Sequence, residues 1–169
     1  MNGRSYFTGL GLLASLASPP MALGAVTVQF IAPERYTDVG HGYDSERHLQ
    51  AIEKHFKTLG QRCLQDDESL ELRVLDIDLA GQQEWWQRTG YDVRVMRDIS
   101  WPRLSFDYQW RTASGKILGQ GREQVSDMNY LWRSAWVRNS TETLPYEKAM
   151  LGDWFERRFC QSRQPQPST

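Results

Sequence analysis

Two carboxylates on one side of a strand are the most chemically suggestive pattern in the chain. Asp76-Ile77-Asp78 supplies them. Joined by Asp127, and by His41 from a Gly-bearing loop, they could hold a divalent cation and activate a water for hydrolysis. The plainer alternative is that both aspartates cap backbone N–H groups at a strand end. No HExxH, GxSxG, Walker or EF-hand pattern accompanies them. His41, His48 and His55 recur at sevens, which invites a metal reading. On a helix, however, His48 and His55 stand roughly 10 Å apart in rise. One ion with ligand bonds of about 2 Å cannot span that. They read as surface histidines on a wet helix face.

Seven tryptophans are the compositional oddity. Trp110 and Trp154 fall in core patterns, whereas Trp85, Trp86, Trp101, Trp132 and Trp136 fall in or beside loops. Loop tryptophans bring large area and a polar N–H, as protein interfaces and sugar-stacking surfaces require. They equally serve to fold back and seal a sheet's rim. With Asp127, Asn129 and Tyr130 they make the candidate binding set. Two cysteines are too few for a disulfide scaffold or a four-thiolate zinc site. Cys63 and Cys160 end two helical patterns and either pair, closing a long loop, or remain separate thiols. Twenty Lys+Arg against 21 Asp+Glu give a net charge of −1, which excludes an electrostatic nucleic-acid binder.

The elements that must carry these residues follow from periodicity. Residues 1–24 read as a Sec-type secretory signal: Arg4, an apolar run Phe7 to Ala17, Pro19-Pro20, then small residues for cleavage near Gly24 or Ala25. No cysteine follows for lipid attachment. The expected product is an exported, periplasmic domain over 25–160 with a disordered tail at 161–169. No apolar run long enough to span a bilayer remains once the signal is removed. Val26 to Phe30 alternates as a strand. Asp44 or Ser45 caps a helix with Leu49, Ile52, Phe56, Leu59 and Cys63 on one stripe.

Leu70, Leu72 and Val74 alternate next, and the parity flips to Leu75, Ile77 and Leu79. That flip predicts a bulge near Val74-Leu75 or burial on both faces. Tyr91, Val93 and Val95 make a short run. Leu104 to Trp110 and Lys116 to Val125 form a hairpin about Ala113-Ser114-Gly115, with Gly119 and Gly121 marking a bulge or close contact. Ser126 to Leu144 lacks a period and suits a functional loop. Pro145 opens a last helix, with Glu147 in its first turn. The fold class is α+β, a mostly antiparallel sheet of four to five strands with two amphipathic helices on one face.

Several blocks occur together in order: Phe30 to Asp38, Leu75 to Gly81, Val93 to Arg97, Trp101-Pro102-Arg103, Val125 to Leu131, and Tyr146-Glu147-Lys148 to Asp153-Trp154-Phe155. In this the mature chain resembles the bacterial family named domain of unknown function 3016. The resemblance implies a small exported envelope protein with no established activity, and offers no catalytic residues. The cysteine pair and the Trp85-Trp86 doublet rest on the residues alone. The expected function is a non-catalytic module binding an envelope protein or glycan, with no cofactor. A metal-assisted hydrolase using Asp76, Asp78 and Asp127 is the alternative.

Overall fold

The computed structural model describes residues 25–84 and 94–161. Strand β1 (Ala25–Phe30) runs parallel to β2 (Glu68–Asp78), and helix α1 (Tyr43–Cys63) makes the crossover. β5 (Arg103–Thr112) lies antiparallel on the other side of β2, and β6 (Ile117–Ser126) antiparallel on β5. The main sheet therefore has the order β1-β2-β5-β6, with a second small sheet of β3 (Gln82–Gln83) and β4 (Arg94–Val95). A one-turn helix, α2 (Ala135–Arg138), precedes α3 (Pro145–Phe155), which continues as π-helix over Glu156–Cys160.

Alternation decides which face of the sheet is covered. Leu70, Leu72 and Val74 of β2 stand opposite Trp110, Tyr108 and Phe106 of β5, and these side chains meet α1 and α3. Ile52, Phe56 and Leu59 come from α1; Met150, Leu151, Trp154, Phe155 and Phe159 come from the C-terminal helix. Edge-to-face ring contacts tie the layers, with Phe106 and Trp154 centroids 4.8 Å apart. The opposite sheet face is polar: Arg122 forks onto Asp107 at 2.7 and 3.1 Å, and the Gln109 side-chain amide donates to Gln120 Oε1 at 3.0 Å.

The parity flip in β2 is a bulge. Val74 pairs with Phe106 and Asp76 with Ser105, leaving Leu75 as the extra residue. Ile77 consequently returns to the core beside Leu104, and both aspartates stay outside it. The second bulge falls between Trp110 and Arg111, opposite Leu118. Gly119 and Gly121 lie against the Tyr108 ring, where a Cβ on Gly121 would approach it to 3.4 Å. One expectation fails at the start of α1. Gly42, with φ 53°, occupies the cap position, and no side chain caps the helix. Asp44 instead lies in the first turn and pairs with Arg47 at 3.2 Å, still favourable to the helix dipole. Cys63 and Cys160 form a disulfide, joining the end of α1 to the end of the last helix.

Candidate functional site

The segment after β6 is pinned from beneath. Asp127 N–H donates to Pro102 O at 3.2 Å, and the Asp127 carboxylate accepts from Asn129 N–H at 3.1 Å. A short 3-10 turn (Tyr130–Trp132) then drives Tyr130 fully into the interior. Its hydroxyl donates to Arg97 O at 2.7 Å, and its ring meets Tyr146 edge-on at 5.0 Å. Arg133 bridges Asp127 at 2.6 Å and Asp153 of α3 at 2.5 Å. Burial works against the Arg133 charge, but the two carboxylates outweigh it and hold its pKa above the usual arginine value. Val137 of α2 packs on the Ala80, Tyr130 and Tyr146 cluster. With the backbone so fastened, Trp132 and Trp136 are left 89% and 78% exposed.

Beside Trp136 runs a groove of about 730 Å³ between α1 and the 136–149 segment. Lys54, Thr58 and Arg62 line it from α1, with Ser140, Thr143 and Lys148 opposite. His55 forms part of this wall. Its Nε2 bonds Lys148 O at 2.9 Å, and burial lowers its pKa below the usual histidine value. His48 likewise bonds Val39 O at 2.9 Å through Nδ1. Both histidines are thus half-buried tethers rather than members of a wet surface, because α1 turns that stripe toward the Val39 loop and α3. His41 stays exposed, on the rim of a separate cavity of about 660 Å³.

The carboxylates of the sheet end are engaged one by one. Asp76 accepts from Thr37 N–H at 2.7 Å and from its hydroxyl at 2.8 Å. Asp78 holds Arg103, whose Nε lies 3.1 Å away and whose guanidinium sits over the Trp101 ring at 5.7 Å. Asp38 pairs with Arg94 at 2.9 Å, and Arg94 also donates to Ala80 O and Gly81 O. Beneath them lies Glu147, only 2% exposed, accepting from Ala80 N–H at 2.7 Å. Burial pushes its carboxyl above the usual range, against the hydrogen bond and Arg94, which pull it down.

Residues 24–157 match the model of the family described as "Protein of unknown function (DUF3016)". The chain belongs to that family. Among curated proteins none matches it. Among the described residues the DUF3016 match takes in every strand and helix up to Arg157, within the final π-helical segment. The sequence blocks that carry the family likeness meet at one end of the sheet. Asp38 reaches Arg94, Gly81 N–H reaches Ser100 O at 2.8 Å, Ala80 reaches Glu147, and Tyr130 reaches Arg97. In this member of DUF3016 that end is a web of paired charges and tethered backbone.

The proposed site residues fare unequally. Asp78 and Trp101 share a small polar depression of about 290 Å³ with Asp38, Ser100 and Arg103. Asp76, Asp127 and Asn129 are not in it; Asp76 serves Thr37, and Asp127 serves Arg133 and Asn129. Among the described residues no three His, Cys, Asp or Glu side chains gather to hold a metal ion. Tyr130 is a buried anchor, so the exposed surface of its segment belongs to Trp132 and Trp136. Trp85 and Trp86 lie outside the described residues. Glu147 went unrecognised as a buried acid. Its signal was present, since it precedes Met150, Leu151 and Trp154 by three, four and seven positions and so shares their buried stripe.

Proposed function

We propose that this DUF3016 protein is a non-catalytic binding module of the cell envelope, exported by its N-terminal signal, and that its partner seats on the Trp132–Trp136 surface. The exposure of two large aromatics on a backbone held by Tyr130, Arg133 and Val137 carries the reading. Exposed Trp on a mobile loop would pay an ordering cost on binding; here most of that ordering is already present in the fold. Among the described residues the carboxylates that a metal-assisted hydrolase would use are engaged within the fold: Asp38, Asp76, Asp78 and Asp127 each have a structural partner. The Cys63–Cys160 bridge supports an oxidising compartment.

The test is site-specific photo-cross-linking in native cells. A photoreactive amino acid at position 132 or 136 is expected to capture envelope material, while the same group at Gln120 on the polar sheet face is not. Equal capture from both faces, or none from 132 and 136, overturns the proposal.

A further inference from the structure

Charge and hydroxyl placement around Trp136 narrow the partner further. Trp136 stands between two depressions. On one side, Asn139, Ser140, Thr141 and Glu142 line a hollow of about 580 Å³. On the other is the α1 groove, with Thr58, Ser140 and Thr143 in its walls. An aromatic plate set between hydroxyl- and amide-bearing hollows suits a saccharide, whose C–H face stacks on the ring while its hydroxyls find polar partners.

The groove also has a sign. Glu142 and Lys148 neutralise one another at 2.8 Å, and the burial of His55 favours its neutral form. Lys54 and Arg62 remain, both exposed and neither in an ion pair among the described residues. They lie eight residues apart on α1, roughly 12 Å in rise, so they can meet successive charges of an extended chain.

We infer that the groove between α1 and residues 136–149 binds an anionic saccharide chain, with Trp136 as stacking plate and Lys54 and Arg62 as charge contacts. The inference rests on the binding reading above and names the ligand class for the same surface. An acidic peptide is the other ligand that would answer the charge, but a flat exposed ring with Thr58, Ser140 and Thr143 among the groove residues favours the sugar.

The experiment titrates the purified full-length protein by calorimetry and tryptophan fluorescence with four probes: oligogalacturonate for carboxylate, a heparin-derived oligosaccharide for sulfate, a neutral maltooligosaccharide, and polyglutamate. At least one anionic saccharide is expected to bind, more weakly as salt rises. The K54Q/R62Q double variant should weaken it about tenfold, and W136A at least as much, with melting temperatures unchanged. Equal binding of the neutral sugar, equal binding of polyglutamate, or binding of no anionic saccharide overturns the inference. So does unchanged affinity in K54Q/R62Q. Cross-linking from positions 132 and 136 is read independently, so loss of the sugar alone leaves the broader binding reading standing.

Discussion

Glu147 is the side chain whose protonation the fold constrains most. It accepts the Ala80 N–H while buried beneath the Asp38–Arg94 pair, and burial raises its pKa above the ordinary 4.5. A carboxyl with a raised folded pKa contributes its full stability below the unfolded value and loses it as pH rises through the folded one. Glu147→Gln stays neutral and can still accept from Ala80. It is expected to flatten the decline in stability above the carboxylate range, measured by denaturant melts across pH. Glu147→Ala leaves the Ala80 N–H unpaired and should cost about 1–3 kcal/mol at every pH. His55 runs the other way: its lowered pKa means stability is held above 6.5 and lost as pH falls below it. At this scale the chain was unevenly legible. The cysteines announced a possible bridge because both end helical stripes, whereas Glu147 hid because a first-turn acid also satisfies the helix dipole. Asp76 and Asp78 were correctly placed together on the outer side of a strand, but their partners, Thr37 and Arg103, come from other segments that no local pattern reveals.

Among the elements, the small β3–β4 sheet depends on one backbone geometry. Gly81 has φ 75°, and a Cβ there would stand 2.7 Å from the Val95 carbonyl oxygen, which is backbone and cannot swing aside. Gly81→Ala should therefore destabilise the domain by more than about 1 kcal/mol, read as a shift in urea midpoint. The disulfide spans 97 residues of sequence. Cys63→Ser/Cys160→Ser is expected to cost on the order of 4 kcal/mol in the chain-entropy account, measured against the oxidised parent. The long strands β1, β2 and β5 and both long helices were legible from their apolar periods, β6 from the hairpin turn before it, and the β2 bulge because its parity breaks at Leu75; β3, two glutamines long, has no period to read. The α1 cap was not, since Gly42 caps by backbone conformation alone, and the nearby Asp44 and Ser45 mimic the usual side-chain signature. The pairing of β1 with β2 in parallel is a matter of connection through α1, which periodicity does not encode.

For the molecule as a whole, the Trp132–Trp136 surface and the paired-charge web occupy neighbouring regions of one scaffold. Tyr130 and Arg133 fasten the Trp segment, and their partners Arg97 and Asp153 belong to other parts of the chain. We expect Arg133→Met to leave the main sheet folded while weakening cross-linking from positions 132 and 136. Unchanged cross-linking in that variant would mean the ion pairs do not set the pose. The export proposal has its own check. Intact mass of protein taken from native cells should correspond to a chain starting at Ala25 or Val26, and a full-length mass would count against it.

The bridge between Cys63 and Cys160 has a mechanical consequence. It encloses β2 through α3 in a covalent ring and leaves β1 and most of α1 outside it. A force drawn along the chain from its two ends can peel off β1 and unwind α1, yet it cannot extend the ring. With the bridge intact, single-molecule extension should stop short by the 97 enclosed residues, roughly 330 Å of contour length. A reductant added under tension should release that length as one step. The oxidised domain thus behaves as a short tether on a closed knot of sheet, able to give at its N-terminal edge while the Trp132–Trp136 surface remains inside the part that force cannot lengthen.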